Sequence, residues 1–247
     1  MNDSQKVGGI AALGVVASFM VSLGMLFILL IPTGYATTEI DYSQFVAFLA
    51  ENQITMYIWY LNILIGSILL VALALALHER VKSGSPPSAL AMVQTATAFG
   101  LLWGALGIAS GLVSIYALNV VVDLFHKDPT QAASTWLMLD AVANGLGGEF
   151  EIMGGLWILL ISGIALRLEG LPRALNYLGL VVGVSGILTI VTGLNVVLPA
   201  LDVPETVFVL VIVWLVWLAM VMLRRRPSGV VQKPDALMPH YRTEQNI

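Results

Sequence analysis

Thr97 to Ser114 reads TAFGLLWGALGIASGLVS, 18 residues without a charge or a proline. As a helix, at 1.5 Å per residue, it covers most of the roughly 30 Å hydrocarbon core of a bilayer. Gly100, Gly104, Gly107 and Gly111 are spaced four, three and four apart, which places them within about 60° of one another on a helix. Thr97 and Ser114 extend the same stripe. Such a line lets a neighbouring backbone approach closely, and close packing is what holds helices together where lipid removes the hydrophobic drive. The stretch is therefore read as the centre of a membrane span.

Working outward, Ser85, Pro86 and Pro87 mark the start of this span, because proline suits the first helical turn, and apolar character continues to about Val121. Similar runs recur at about Val7–Ile31, Met56–Leu77, Gly147–Leu166, Ala174–Leu198 and Pro204–Leu223. Six spans account for most of the 247 residues, and no room is left for a large soluble domain. With 58% hydrophobic and 11% charged residues, and a mean hydropathy of +0.91, a soluble globular fold is excluded. The expected architecture is an all-α, polytopic bundle over residues 1–226, followed by a proline-punctuated tail, 227–247.

Charge orients it. Lys6, Arg80, Lys82, Arg167, Arg173, Arg224, Arg225, Arg226, Lys233 and Arg242 fall on one side of a six-span threading, and Lys127 alone falls opposite. Short-loop lysine and arginine stay on the cytoplasmic side, so both termini are expected in the cytoplasm and the chain in the cell (inner or plasma) membrane. Glu39, Asp41, Glu51, Asp123, Asp128, Asp202 and Glu205 make the outer face acidic. In the first outer loop Phe45, Val46, Phe48 and Leu49 recur at helical spacing after Ser43, which predicts a short amphipathic helix on the outer surface. Tyr57, Trp59 and Tyr60 follow as an aromatic interfacial anchor.

Several chemistries fall away. There is no cysteine, so disulfides, thiolate metal sites and cysteine nucleophiles are excluded. His78, His126 and His240 are the only histidines; the first two fall on opposite sides of the membrane, which does not suit a bis-histidine haem. No HExxH or ExxH pattern occurs, so no metal and no cofactor is expected. Gly183, Val184, Ser185 and Gly186 spell G-x-S-G, which resembles the serine motif of rhomboid proteases, but the sixth span has no histidine to activate the hydroxyl. Ser185 is read as a packing residue and no catalytic residue is assigned. The basic residues read as a stop-transfer anchor, and nucleic acid is not an expected partner.

The acids nearest the membrane interior lie between Trp136 and Gly155: Asp140, Glu149 and Glu151, with the amide Asn144 among them. A continuous helix from Ala133 to Leu166 would run about 50 Å, so a break is expected near Gly145, Gly147 and Gly148. If the stretch were helical throughout, Asp140, Asn144 and Glu151 would share a stripe, with Glu149 opposite. Counting outward from the basic end puts Glu149, Glu151, Asn62 and Asn195 toward the outer side. These six residues form a candidate polar cavity, since intramembrane acids are functional candidates by default; acids close to the interface can also simply reach water. Gly179, Gly183 and Gly186 offer a further packing surface. Both glycine faces are read first as packing within the chain, with a homo-oligomer, a protein partner or a ligand crevice as alternatives.

The stretches Phe45–Lys82, FVAFLAENQITMYIWYLNILIGSILLVALALALHERVK, and Ile164–Leu180, IALRLEGLPRALNYLGL, resemble a bacterial family of six-helix integral membrane proteins catalogued as a domain of unknown function. The resemblance covers roughly residues 7 to 226 and implies the six-helix fold; it carries over no catalytic residue. Three functions remain: a non-enzymatic accessory or lipid-interacting membrane component, a small-solute or proton-linked transporter using the outer carboxylates, and a membrane enzyme acting on a lipid at the outer interface through Asp140 with Glu149 or Glu151. Membrane lipids are the expected partners in each.

Overall fold

A computed structural model describes residues 3–33, 41–148, 151–168, 170–190, 207 and 209–224, and these are helical with short connections. The helices are α1 (Asp3–Met25), α2 (Tyr42–Glu51), α3 (Gln53–Lys82), α4 (Leu90–Phe125), α5 (Pro129–Ala143), α6 (Ile152–Leu168), α7 (Arg173–Leu188) and α8 (Val211–Leu223). A π-helical turn and a 3-10 turn carry α1 on to Thr33. Four helical stretches are long and apolar enough to cross a membrane: Asp3–Thr33, Gln53–Lys82, Pro87–Phe125 and Pro129–Leu168. Arg173–Leu188 and Val211–Leu223 are shorter apolar helices. The expected ends of the fifth and sixth spans, 191–206, and the expected tail, 227–247, lie outside the described residues.

Pro87 opens a 3-10 turn that passes into α4, so the proline pair sits where a missing N–H costs nothing. At 36 residues α4 is about 54 Å long, well beyond a hydrocarbon core. Its glycine stripe faces α3: a side chain at Gly104 would strike Val71 and the Ser67 carbonyl, one at Gly107 the Ser67 hydroxyl, and one at Gly111 would touch Leu64. Gly100 meets Ala74 of α3 and Trp157 of α6. The stripe is thus occupied within the chain by Leu64, Ser67, Val71 and Ala74, which themselves recur at helical spacing. Gly179 and Gly183 of α7 face α6, against Ser162 and the Leu159 backbone.

Two apolar clusters result. The larger joins α1, α3, α4, α6, α7 and α8, with Trp157 and Trp214 fully buried at its centre. The smaller lies at the far ends of α3 and α4, where α2 and α5 fold over them. Asp128 caps α5 by accepting from the Gln131 N–H at 3.0 Å, and Asp41 caps α2 by accepting from Ser43 and Gln44. Two of the acids expected on the outer face thus close helix ends.

Two expectations change at this end. The amphipathic helix forms, beginning at Tyr42, but Phe45, Val46 and Leu49 are buried against protein, with the Phe45 ring 5.8 Å from that of Trp136 on α5. Its apolar face is covered by α5 and α4 because the overlong α4 carries a protein surface out to meet it. Of the aromatic trio, Tyr57 is exposed, whereas Tyr60 is 6% exposed and belongs to the smaller cluster. A ring facing the next helix cannot serve as an interfacial anchor.

The break expected in the acidic stretch falls at Asn144–Gly148, a π-helical turn in which Gly147 has φ 144 and ψ 16. Only glycine takes this conformation readily. The break separates α5 from α6, as expected, so the stripe that a continuous helix would give Asp140, Asn144 and Glu151 is interrupted before Glu151.

Candidate functional site

The described polar residues of the candidate cavity lie at separate places in the bundle. Asn62 lies in the seam between α3 and α1. Its Nδ2 donates to the Ser18 carbonyl and to the Ser22 hydroxyl, both at 3.0 Å, while Ser18 Oγ donates back to the Asn62 carbonyl at 2.9 Å. Gly66, one turn on, leaves room for the Ser18 hydroxyl. Both acceptors of this amide are on α1, so Asn62 fastens two helices. Asn144 donates to Asp140 Oδ2 at 3.2 Å across one turn, and Ser110 of α4 holds the end of α5 by donating to the Ala143 carbonyl at 2.8 Å. Glu149 and Asn195 lie outside the described residues.

Glu151 stands apart. It immediately precedes α6, and the segment Glu151–Gly155 reads EIMGG. The Glu151 N–H donates to the Thr189 hydroxyl at the end of α7 at 3.1 Å, and that hydroxyl donates to the Gly186 carbonyl at 2.7 Å. The Trp103 indole of α4 donates to the Glu151 carboxylate. Gly154 makes this contact available: its missing side chain leaves space for the Trp103 ring, whose carbons lie 2.6–2.8 Å from where a Cβ would sit. Gly155 does the same for the α7 backbone, with the Gly183 carbonyl and the Ile187 nitrogen both 2.7 Å from its absent Cβ. Three helices therefore meet at Glu151, α4 at its carboxylate and the end of α7 at its backbone N–H, and the two glycines after it let them approach. The other oxygen, Oε2, is shut off from solvent and has no hydrogen-bond partner among the described residues. Trp103 itself packs on Trp157, which packs edge-on to Trp214, with centroids 6.0 Å and 5.9 Å apart.

A second buried polar contact lies toward the opposite end. Thr97 Oγ1 donates to the Val93 carbonyl at 2.8 Å, so its one proton is spent. His78 Nδ1 lies 2.8 Å from that oxygen, so the pair ties α3 to α4. Sequence reasoning missed this pair because a histidine near a helix end looks solvated until the facing helix is known. No group of three or more metal-ligating side chains occurs among the described residues.

The helix directions gather charge by end. Lys6, Arg80, Lys82, Arg167, Arg173 and Arg224 lie where α3 turns into α4, where α6 turns into α7, and where the start of α1 meets the end of α8 at Gly8, Gly9, Met222 and Leu223. Asp41, Glu51, Asp123 and Asp128 lie at the other end with Lys127. The bundle is bipolar, and Glu151 sits about 25 Å along α6 from its basic end.

No curated protein and no solved structure matches the chain. A family model described as a domain of unknown function (DUF4386) matches residues 7–222, nearly the whole helical region described above. The chain, an all-helical membrane protein by its apolar helices, belongs to this family.

Proposed function

We propose that the chain crosses the cell membrane six times, with both termini in the cytoplasm, and works there as a non-enzymatic accessory component that interacts with lipid. The gathering of cations at one end supports the orientation, since the positively charged side is retained inside. The observation that carries the functional reading is how the interior polar groups are used: Asn62 to Ser18 and Ser22, His78 to Thr97, and Ser110 to the end of α5 all bond helix to helix. Such bonds bind spans together in hydrocarbon. Outward, α1 and the π-helical turn after it present Ile10, Leu13, Met20, Val21, Phe27 and Ile28 to their surroundings, an apolar face suited to acyl chains.

The Glu151 carboxylate favours a second reading, a small-solute or proton-linked carrier. Extraction of the protein from its membrane in polymer-bounded lipid discs, followed by mass spectrometry, tests the first. A defined lipid or protein species retained in fixed stoichiometry is expected. Solute uptake by proteoliposomes that is driven by a pH gradient and lost in Glu151→Gln would overturn it in favour of the carrier.

A further inference from the structure

We propose that Glu151 is a proton-binding site, a carboxyl group held inside the bundle that takes up and releases a proton. This goes beyond the accessory role and does not depend on it. The geometry is the argument. Glu151 sits at the meeting of α4, α6 and α7, just past the break at Asn144–Gly148. Trp103 can only donate, and it donates to one carboxylate oxygen. Oε2 is closed to water and has no hydrogen-bond partner among the described residues. An ionised carboxylate leaves that oxygen uncompensated in a low-dielectric setting, whereas one proton neutralises the group.

The neighbouring elements supply no cation to take the proton's place among the described residues. On α4 the acid Asp123 is about 30 Å of helix beyond Trp103. On α6 and α7 the charged groups Arg167 and Arg173 stand at the basic end. The turn before α6 contributes Asn144, which is bonded to Asp140 on α5. The occupant that fits is therefore a proton, COO⁻ and H⁺ giving COOH.

Dicyclohexylcarbodiimide tests this on the intact wild-type protein in lipid discs. The reagent partitions into apolar regions and reacts only with the protonated acid: the carboxyl proton passes to a carbodiimide nitrogen, the carboxylate oxygen adds to the central carbon, and acyl migration leaves a stable N-acylurea. Across a pH series, peptide mapping is expected to find Glu151 modified at the acidic end and the modification to fall several-fold toward the alkaline end, measured relative to a soluble carboxylic acid carrying the reagent's own pH dependence. A water-soluble carbodiimide should leave it untouched, and sodium chloride at fixed pH should change nothing. Absence of modification at every pH, equal normalised modification at both ends of the range, or protection by sodium ions would each overturn the proposal, the last by making Glu151 a metal-cation site. Glu151→Gln, the uncharged isostere, should fold and elute as wild type and lose the modification.

Discussion

Gly155→Ala is expected to leave little folded protein under conditions in which the wild type is intact. Its Cβ would fall 2.7–2.8 Å from the Gly183 carbonyl, the Ile187 nitrogen and the Gly186 carbonyl carbon, all of them backbone. A side chain can rotate away, but a helix backbone cannot, so α6 and α7 must separate along the seam. Overpacking in a protein interior ordinarily costs about 1–3 kcal/mol, and with no side chain to yield we expect about 3 kcal/mol or more. Gly183→Ala, whose Cβ would meet the Leu159 nitrogen and Cα at 2.7 and 2.8 Å, should behave alike. Gly24→Ala and Gly163→Ala are the controls, because nothing lies within 4 Å of either absent Cβ. In a helix, alanine in place of glycine should stabilise them by up to about 1 kcal/mol. Thermal unfolding followed by size-exclusion chromatography separates the pairs: loss of the monodisperse peak for the first two, and an equal or higher midpoint for the controls.

Trp157→Ala should come second in effect. Trp157 is fully buried, lies against Gly100, and packs between Trp103 and Trp214, so one side chain joins α4, α6 and α8. Truncating a buried tryptophan costs about 3–5 kcal/mol in soluble cores. In a bilayer the transfer part shrinks while the lost contacts remain, so the lower end of that range is expected. Because Trp103 reaches Glu151 from the same aromatic cluster, the variant should also disturb the carboxylate, seen as altered carbodiimide modification. Trp157→Phe, which keeps most of the volume, should recover most of the stability. A Trp157→Ala protein as stable as wild type would show that the aromatic stack does not hold the helices.

Much of this is legible in the sequence where periodicity or length alone decides. The spacing of Gly100, Gly104, Gly107 and Gly111 defines a face whatever packs on it, and Ala133 to Leu166 is too long for one span, so a break at the glycines follows. Partners are not legible in that way. Nothing in the spacing of Gly179 and Gly183 says that they receive Ser162 and Leu159 of the preceding helix, and Asn62 looks like a cavity residue until Ser18 and Ser22 are seen beside it. Polar groups in a membrane interior are satisfied by whichever helix lies nearest, which is a property of three-dimensional order. The covering of α2 by Trp136 is hidden for the same reason: a moment predicts an apolar face without saying whether lipid or protein will meet it.

The orientation of the bundle organises everything else, since it decides whether Glu151 lies toward the outside of the cell or the cytoplasm. The chain has no cysteine, so single cysteines can be introduced without background. Ser83→Cys lies in the exposed turn between α3 and α4 at the basic end, and Lys127→Cys in the exposed turn between α4 and α5 at the acidic end. With a membrane-impermeant maleimide on intact cells, Lys127→Cys is expected to be labelled and Ser83→Cys only after permeabilisation. Labelling of Ser83→Cys in intact cells, with Lys127→Cys protected, would contradict the account.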